Sequence, residues 1–280
     1  MINVGRVNRL QVVRRADAGL FLAGEGDTAI LLPKRYISRE APAEIGDWLD
    51  VFVYFDSEDR RVATTETPKV QVGEFASLKV VDITPVGLFL DWGLSKDLLL
   101  PHSEEQRPLQ VGDYCVVYAF LDARKGRITA TARLDRYLDK TPARYRPGQA
   151  VDLLLTGPTE MGFKAIINHQ HWGLIHKNEL FKFVRSGMRE QGYIKELRAD
   201  GKISLSLQPV GEQAAGSLAD QILARLSEEG GVLVLSDKSP PEVIARYFGV
   251  SKGNFKKAIG TLYKTGRIVI HDDRIELPGR

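Results

Sequence analysis

An internal repeat constrains the fold of this chain more than any other feature of its sequence. Each copy begins with two glycines that are 14 residues apart: Gly5 and Gly19, Gly73 and Gly87, Gly148 and Gly162. Fourteen residues further on, an apolar run ends at Pro33, Pro101 and His176, and a third glycine follows after a loop, at Gly46, Gly112 and Gly187. Matched spacings in three places predict one structural unit of roughly 65–70 residues, present three times.

Every copy also contains five short apolar or β-branched stretches, which we interpret as strands. In the first copy they begin near Leu10, Gly19, Ala29, Trp48 and Val62. Five short strands with glycine at the bends favour a small closed barrel of the OB type, because closure removes the exposed edges of a flat sheet. The sequence therefore predicts a mainly β protein with three tandem five-stranded barrels, over residues 1–66, 70–140 and 145–208.

The third copy carries a motif that resembles a known family. Its segment Gly173-Leu-Ile-His-Lys-Asn-Glu-Leu is similar to the Gly-Leu-Val-His-Ile-Ser-Glu-Leu signature of S1 RNA-binding domains, and Lys202-Ile-Ser-Leu-Ser-Leu resembles their fifth strand. In the second copy, Val86-Gly-Leu-Phe-Leu-Asp resembles their second strand. The resemblance implies that strands two and three bind single-stranded RNA. An aromatic side chain on strand two and a basic or histidine side chain near strand three would make the contacts.

Carried onto this chain, the resemblance predicts a similar set of contacts in each barrel. Strand two offers Phe21 and Phe89, whereas the third copy has Lys164 at this position and Phe163 on the neighbouring, inward side. Residues near strand three and at the start of strand five complete the set: Lys34, His102, His176 and Lys177, then Arg61, Arg127 and Lys202. Because leucines on either side supply the inward face, we interpret the two phenylalanines as outward stacking surfaces. The alternative is a place in the barrel core.

After Pro209 the pattern changes from strands to helices. We interpret residues 210–217 as a linker and residues 218–229 as a helix with an apolar stripe. A second helix starts at Ser239-Pro-Pro-Glu, and Ser251 caps a third one after a turn at Gly249. Two short apolar runs on either side of His271-Asp-Asp form a hairpin. This order of elements predicts an α+β winged-helix domain over residues 214–280.

The third helix of this domain is rich in lysine. No acidic residue lies between Val250 and Asp272, and the helix carries Lys252, Lys256, Lys257 and Lys264. In winged helices that bind DNA this helix enters the major groove, so we interpret the lysines as nucleic-acid contacts; the alternative is a structural or protein-docking domain. The segment from Ser251 to Lys264 resembles the matching stretch of the conserved virulence factor B family. That resemblance implies a bacterial RNA-binding regulator that joins S1 barrels to a winged helix.

Composition limits the remaining possibilities. The single cysteine, Cys115, has no partner for an internal disulfide and lies in a predicted strand, so we expect it to be a small buried hydrophobic residue in a reducing cytoplasm. We expect no membrane partner, because no apolar run approaches the ~18 residues needed to span a bilayer. We also expect no cofactor and no metal; His169 and His171 are interpreted as loop residues or nucleic-acid contacts.

The charge is distributed unevenly along the chain. Residues 1–141 carry a net charge of −2, whereas residues 142–280 carry +5. Because affinity for phosphates scales with the number of cations that reach the backbone, we expect the second half to dominate electrostatic binding.

These observations favour a non-catalytic protein that binds single-stranded RNA and affects mRNA stability or translation. The alternative is a transcription regulator that binds DNA through the winged helix. An enzyme such as a nuclease is disfavoured, because the sequence has no P-loop, HExxH or Gly-x-Ser-x-Gly motif and no carboxylate cluster suited to two metals.

Overall fold

The structure, a computed structural model, describes residues 1–38, 42–56, 58–122, 126–180, 182–209 and 212–279. It divides into two compact units, Met1–Leu138 and Asp139–Arg280. The first unit holds the first two copies of the repeat, and the second holds the third copy and the helical domain. The boundaries of the four domains given above stay a prediction.

The first copy, barrel 1, is a closed five-stranded barrel. Its strands are β1 (Val7–Ala16), β2 (Gly19–Ala23), β3 (Ile30–Pro33), β4 (Trp48–Phe55) and β5 (Arg61–Thr64). They follow the order β1-β2-β3-β5-β4, and the parallel pair of β3 and β5 completes the circle. Alternate side chains of these strands point inward, and those of Leu10, Val12, Leu20 and Leu22 are buried in the core.

The second copy, barrel 2, has the same strand order but a weaker closure. Its strands are β6 (Phe75–Thr84), β7 (Gly87–Asp91), β8 (Leu98–Pro101), β9 (Tyr114–Asp122) and β10 (Arg127–Thr131). Within the residues that the structure describes, they form a sheet in the order β10-β9-β6-β7-β8, without hydrogen-bonded pairs between β8 and β10. A cavity of about 240 Å³ lies along this seam, lined from both strands by Leu99 and Ile128. The predicted hydrogen-bonded closure is therefore replaced here by packing across a small cavity.

Barrels 1 and 2 pack against each other through one shared apolar cluster. Phe52 and Val62 of barrel 1 are buried in it together with Trp92 of barrel 2, and the rings of Phe52 and Trp92 meet edge to face at 5.6 Å. The backbone N–H of Val72 donates to the carbonyl of Gly5 at 2.8 Å. Because burial of large aromatic side chains strongly stabilises the contact between the barrels, the two barrels form one compact unit rather than two independent domains.

The third copy, barrel 3, closes in the same way as barrel 1. Its strands are β11 (Ala150–Thr159), β12 (Gly162–Ile167), β13 (His171–His176), β14 (Arg189–Leu197) and β15 (Ile203–Ser206). The order is β11-β12-β13-β15-β14, with β13 parallel to β15. Asn168 and His169 adopt positive φ angles in the turn between β12 and β13, which confirms the predicted hairpin.

The repeat glycines at the start of the second strands occupy equivalent places. Gly19, Gly87 and Gly162 have φ angles of +146°, +148° and +157°. A Cβ atom on any of them would lie 2.0–2.4 Å from a carbonyl oxygen of the neighbouring third strand. Only glycine tolerates both constraints, so the spacing that defined the repeat marks the point where strands two and three approach most closely.

The C-terminal domain has the predicted winged-helix order. It contains α1 (Glu212–Glu228), β16 (Val232–Leu233), α2 (Pro241–Phe248), α3 (Lys252–Lys264), β17 (Val269–Ile270) and β18 (Ile275–Glu276). The three short strands form a sheet in the order β16-β18-β17. Ser251 caps α3 as expected, because its hydroxyl accepts a hydrogen bond from the backbone N–H of Asn254.

The predicted linker over residues 210–217 is wrong for residues 212–217. The helix α1 starts at Glu212, one and a half turns earlier than its apolar stripe begins. The run Glu212-Gln-Ala-Ala consists of residues with high helix propensity, which favours a helix that starts before the apolar stripe. Residues 210 and 211 lie outside the described residues.

Within the described part of the chain, every helix is too short or too polar to cross a bilayer.

Candidate nucleic-acid interface

The outward side chains of the second and third strands form what we call the outer face of each barrel. In β2 the leucines at positions 20 and 22 are buried, and Phe21 between them is half-buried on the outside. In β7 the pattern is the same, with Phe89 outside. The structure thus places both phenylalanines outside the barrel core, as the alternation predicts. Whether RNA stacks on them stays a prediction.

On the outer face of barrel 1, a guanidinium group covers the aromatic ring. A bulge at Val13 shifts the register of β1, so that Arg14 pairs with Phe21 across the two strands. The guanidinium carbon of Arg14 lies 3.8 Å from the centroid of the Phe21 ring. Arg14 was absent from the sequence-based set of contacts. Lys34 and Arg61 of that set are exposed elsewhere on the same barrel.

The outer face of barrel 2 borders the cavity of the seam, which is lined by apolar, acidic and basic side chains. Phe89 lines the 240 Å³ cavity of the seam, and Tyr54 and Phe55 of barrel 1 line it from the opposite side. Arg127 also lines this cavity, but Asp59 of barrel 1 engages its guanidinium through two hydrogen bonds of 2.6 and 2.9 Å. The pairing lowers the pKa of Asp59 and keeps both groups charged. Arg127 therefore joins the two barrels, besides being a candidate phosphate contact.

His102 follows strand three of barrel 2 and makes two hydrogen bonds. One ring nitrogen, Nε2, lies 2.8 Å from the carbonyl oxygen of Thr84, and Nδ1 contacts the carboxylate of Glu105. The carbonyl of Thr84, followed by the Glu105 carboxylate, raises the pKa of His102 above its ordinary value of 6.5. The side chain is half-exposed, so it places a titratable charge at the surface.

On the outer face of barrel 3, the cation is on the second strand and the ring is on the third. Phe163 is buried, as expected, and Lys164 points outward. The Lys164 ammonium nitrogen lies 3.6 Å from the centroid of the Trp172 ring on β13. Trp172 shares this face with Leu174 because the two residues are two apart on one strand.

The remaining predicted contacts of barrel 3 differ in their surroundings. His176 is half-buried at the end of β13 and Lys177 is exposed directly after it. Lys202 is exposed, lies 3.4 Å from the carboxylate of Asp200 and directly precedes β15, which begins at Ile203.

His171 does not belong to the surface. Its side chain is buried, and its ring nitrogens lie 2.9 Å from the hydroxyl of Tyr145 and 2.7 Å from the carbonyl of Thr141. His171 therefore connects the segment before β11, which contains Thr141 and Tyr145, to barrel 3 through hydrogen bonds. Over the described residues, no group of three or more histidine, cysteine or acidic side chains is arranged to hold a metal ion.

In the winged helix, α3 turns its apolar side to the core and its lysines to the other side. Phe255, Ile259 and Leu262 are buried, whereas the exposed lysines are Lys256, Lys257 and Lys264, with Lys252 half-buried. Lys256 lies 3.1 Å from the carboxylate of Asp237. The structure thus brings the four predicted lysines to one side of one helix, and a partial ion pair neutralises one of them.

Cys115 is half-buried against the apolar cluster of barrel 2. Burial raises the pKa of its thiol to about 11. The thiolate, which is the reactive form, is therefore scarce at neutral pH.

Models of two domain families match the chain. The S1 domain matches residues 4–66 and 72–133, and the CvfB-like winged helix domain matches residues 220–277. The uncharacterized protein YitL of Bacillus subtilis is 30% identical to this chain, over 94% of the chain and 90% of the relative. The chain belongs to the conserved virulence factor B family. A member named Conserved virulence factor B, from Staphylococcus epidermidis, is 28% identical over 98% of the chain and 94% of its own length.

A solved structure from Streptococcus pneumoniae aligns with this member of the conserved virulence factor B family over nearly the full length of both chains. It is described as a multidomain protein with nucleic acid binding domains, is 25% identical and covers 98% of both chains, with a TM-score of 0.42. The assignment of S1 and winged-helix domains rests on the family models. Both kinds of domain bind nucleic acids, and they indicate a nucleic-acid-binding protein.

Trp172 and Arg14 are the candidate site residues that sequence reasoning missed. The family resemblance predicts an aromatic residue on strand two, whereas in barrel 3 the ring lies on strand three. The alternation of His171-Trp-Gly-Leu-Ile-His, with Ile175 inward, would have placed Trp172 outward. Arg14 gave no such signal, because its place beside Phe21 depends on the bulge at Val13.

Proposed function

We propose that this conserved virulence factor B family member is a non-catalytic cytoplasmic regulator that binds single-stranded RNA and thereby affects mRNA stability or translation. The pairing of a ring with a cation on the outer faces of barrels 1 and 3 carries the proposal: Phe21 with Arg14, and Trp172 with Lys164. A ring on a barrel surface stacks on any unpaired base, and the neighbouring cation neutralises a phosphate. Single strands are the preferred partners, because the bases of a duplex are already stacked.

The proposed contacts divide into rings and cations. The rings are Phe21, Phe89 and Trp172, which would hold bases. The basic and histidine side chains on the barrels would hold phosphates: Arg14, Lys34, Arg61, His102, Arg127, Lys164, His176, Lys177 and Lys202. Phosphate contacts set position and affinity but carry no base information, so any sequence preference would come from the rings and from the cavity beside Phe89.

The lysines of α3 favour a second nucleic-acid contact in the winged helix. Lys252, Lys256, Lys257 and Lys264 lie on the side of the helix that faces away from the core. In the proposed function they hold RNA phosphates. The same surface would fit the major groove of duplex DNA, which makes a DNA-binding transcription regulator the competing function.

Binding of four nucleic acids to the full chain distinguishes these functions. Fluorescence anisotropy at two salt concentrations would compare a single-stranded RNA with duplex RNA, duplex DNA and single-stranded DNA. We expect the single-stranded RNA to bind most tightly, with an affinity that falls as salt rises. A preference for duplex DNA would support the transcription regulator instead, and the absence of any binding would contradict both.

The contribution of the winged helix is tested by a charge reversal. Lys256→Glu with Lys257→Glu should weaken binding to all RNA sequences alike, because these side chains would contact phosphates. Arg225→Glu with Lys238→Glu, on the same domain but outside α3, makes the same change in net charge and serves as the control. If the double variant binds RNA as the unaltered chain does at low salt, the winged helix is a structural or protein-docking domain.

A further inference from the structure

Barrel 1 contains a cavity that shares a single lining residue, Lys34, with the proposed RNA contacts. It lies at the end of the barrel where the β1–β2 turn meets the segment that follows β3, and its volume is about 850 Å³. Small-molecule sites usually measure about 300–1,000 Å³. The cavity is therefore large enough for a nucleotide.

Three cations and one carboxylate line this cavity. The cations are Arg15, Lys34 and Arg35, and the carboxylate is Asp17. Elsewhere in this unit, Arg6, Arg60, Arg127 and Arg136 form ion pairs with carboxylates, as Arg60 does with Asp56 at 2.9 Å. Across the described residues, by contrast, no carboxylate forms an ion pair with any of the three cavity cations. Among the described lining residues there are thus three basic side chains and one carboxylate.

Two of the three cations are held in place by neighbours that leave their charge intact. The guanidinium of Arg15 donates a hydrogen bond of 2.9 Å to the carbonyl oxygen of Ala43. The guanidinium of Arg35 lies 4.7 Å from the centroid of the Tyr36 ring, and the buried Tyr36 hydroxyl is 3.0 Å from the hydroxyl of Ser95. A preorganised guanidinium loses less conformational freedom when it binds an anion.

The other two barrels serve as internal comparisons. At the position of Arg15, barrel 2 has Ile83 and barrel 3 has Pro158, and at the position of Arg35 barrel 2 has Ser103. The position of Lys34 carries a basic or titratable side chain in all three barrels. The two arginines are therefore a feature that barrel 1 does not share with its neighbours.

We propose that the cavity defined by Arg15, Lys34 and Arg35 binds a phosphate monoester, on a free nucleotide or at the end of an RNA strand. A monoester carries a charge of about −1.5 to −2 at pH 7 and offers three acceptor oxygens, whereas an internal phosphodiester carries a single charge. The guanidinium group of an arginine can donate two parallel hydrogen bonds to the oxygens of such a phosphate. The apolar side chains of Leu20, Ile37 and Pro42 line the rest of the cavity and contact the sugar or base. The RNA source of the phosphate rests on the proposed function; the free nucleotide does not.

Calorimetry on the full chain tests this site with adenosine monophosphate, adenosine and inorganic phosphate. Anisotropy then compares one single-stranded RNA with a 5′-phosphate, a 3′-phosphate or hydroxyls at both ends. We expect adenosine monophosphate to bind and adenosine not to bind. One phosphorylated RNA should bind about tenfold more tightly than the hydroxyl-ended RNA, as charge-assisted hydrogen bonds would provide.

The matched variant places the residues of barrel 2 in barrel 1, as Arg15→Ile with Arg35→Ser. It should abolish the phosphate preference and leave the affinity for hydroxyl-ended RNA unchanged. Arg9→Ser, an exposed arginine of β1 outside the cavity, should retain the preference. Arg35→Lys keeps the charge but loses the planar guanidinium, so this variant should retain part of the preference for phosphate-ended RNA. The unchanged affinity for hydroxyl-ended RNA shows that the double variant is folded.

Two results would overturn the site. One is the absence of adenosine monophosphate binding together with equal affinities for phosphate- and hydroxyl-ended RNA. The other is an equal loss of affinity for both kinds of RNA in the Arg15→Ile, Arg35→Ser variant, which would make the arginines ordinary backbone contacts. Nucleotide binding that needs Arg15 and Arg35, in a chain that binds no RNA, would contradict the proposed function and support the site.

Discussion

Barrels 1 and 3 present the same pair of groups on their outer faces but take them from different strands. In barrel 1 the cation is on strand one and the ring on strand two, as Arg14 over Phe21. In barrel 3 the cation is on strand two and the ring on strand three, as Lys164 over Trp172. These two copies of the repeat therefore keep the combination of ring and cation, while its position shifts by one strand.

The identity of the cation changes what each face offers to a base. The guanidinium of Arg14 is flat and lies against Phe21, so its second side is itself a stacking surface for a base. The ammonium of Lys164 is compact and strongly hydrated, and moves aside more readily to expose the larger indole of Trp172. We therefore expect barrel 3 to contribute more stacking energy than barrel 1, and its excess of basic residues to add to this difference.

The largest expected effect is that of Trp172→Ala on the affinity for single-stranded RNA. Loss of one stacked base weakens binding by about 1–3 kcal/mol, or about fivefold to more than a hundredfold. Trp172→Phe should retain most of the affinity because it keeps a ring. Anisotropy at fixed salt measures both. An unchanged affinity of the folded alanine variant would remove barrel 3 from the interface.

Phe21→Ala provides the matched measurement in barrel 1. We expect a loss near the lower limit for a stacked ring, about fivefold, because the ring is smaller and Arg14 stays in place as a second stacking surface. Arg14→Lys should then reduce affinity further in the Phe21→Ala background. A loss larger than that of Trp172→Ala would reverse the order of the two barrels.

Lys164→Phe sharpens the comparison by giving barrel 3 the ring that barrels 1 and 2 carry at this position. The variant keeps a stacking surface but loses one cation, so the plot of log affinity against log salt should become shallower by about 0.7 for a single strand. Binding at high salt should change little. Lys140→Phe, a lysine outside the outer face, is the control and should not alter the slope.

The sequence predicts the fold well where local signals decide it. Alternation in β2 and β7 placed the two phenylalanines outside, and the spacing of Gly19, Gly87 and Gly162 located the start of each second strand. Such features depend on neighbours within one hairpin. The winged helix followed from its caps and turns, apart from the early start of α1, where helix propensity extends beyond the apolar stripe.

Local sequence patterns do not predict contacts between distant parts of the chain. Arg127 was predicted as a phosphate contact, and its ion pair with Asp59 joins residues of two different barrels. The cavity between β8 and β10 is likewise lined by residues of both barrels, such as Tyr54 of barrel 1 and Phe89 of barrel 2. Periodicity describes which face a residue lies on, whereas the partner across a domain contact depends on packing.

Barrel 2 extends the comparison to a charge that depends on pH. At the position after the third strand, barrels 1 and 3 carry Lys34 and Lys177, and barrel 2 carries His102. Both nitrogens of the His102 ring face acceptors, the carbonyl of Thr84 and the carboxylate of Glu105. A neutral imidazole has a single N–H and satisfies one of them, so both bonds together require the imidazolium.

The smallest expected effect is therefore a pH dependence that His102 confers on barrel 2. Its pKa is raised by the Thr84 carbonyl and then by Glu105. A raised pKa in the folded state means that the stabilisation is fully present below about pH 6.5 and is lost as pH rises through the raised value. The melting temperature should fall over that range, and His102→Gln should remove this part of the fall. A titration of the His102 ring by NMR that gives a pKa at or below 6.5 would contradict the assignment, and would leave barrel 2 without the cation that its neighbours carry.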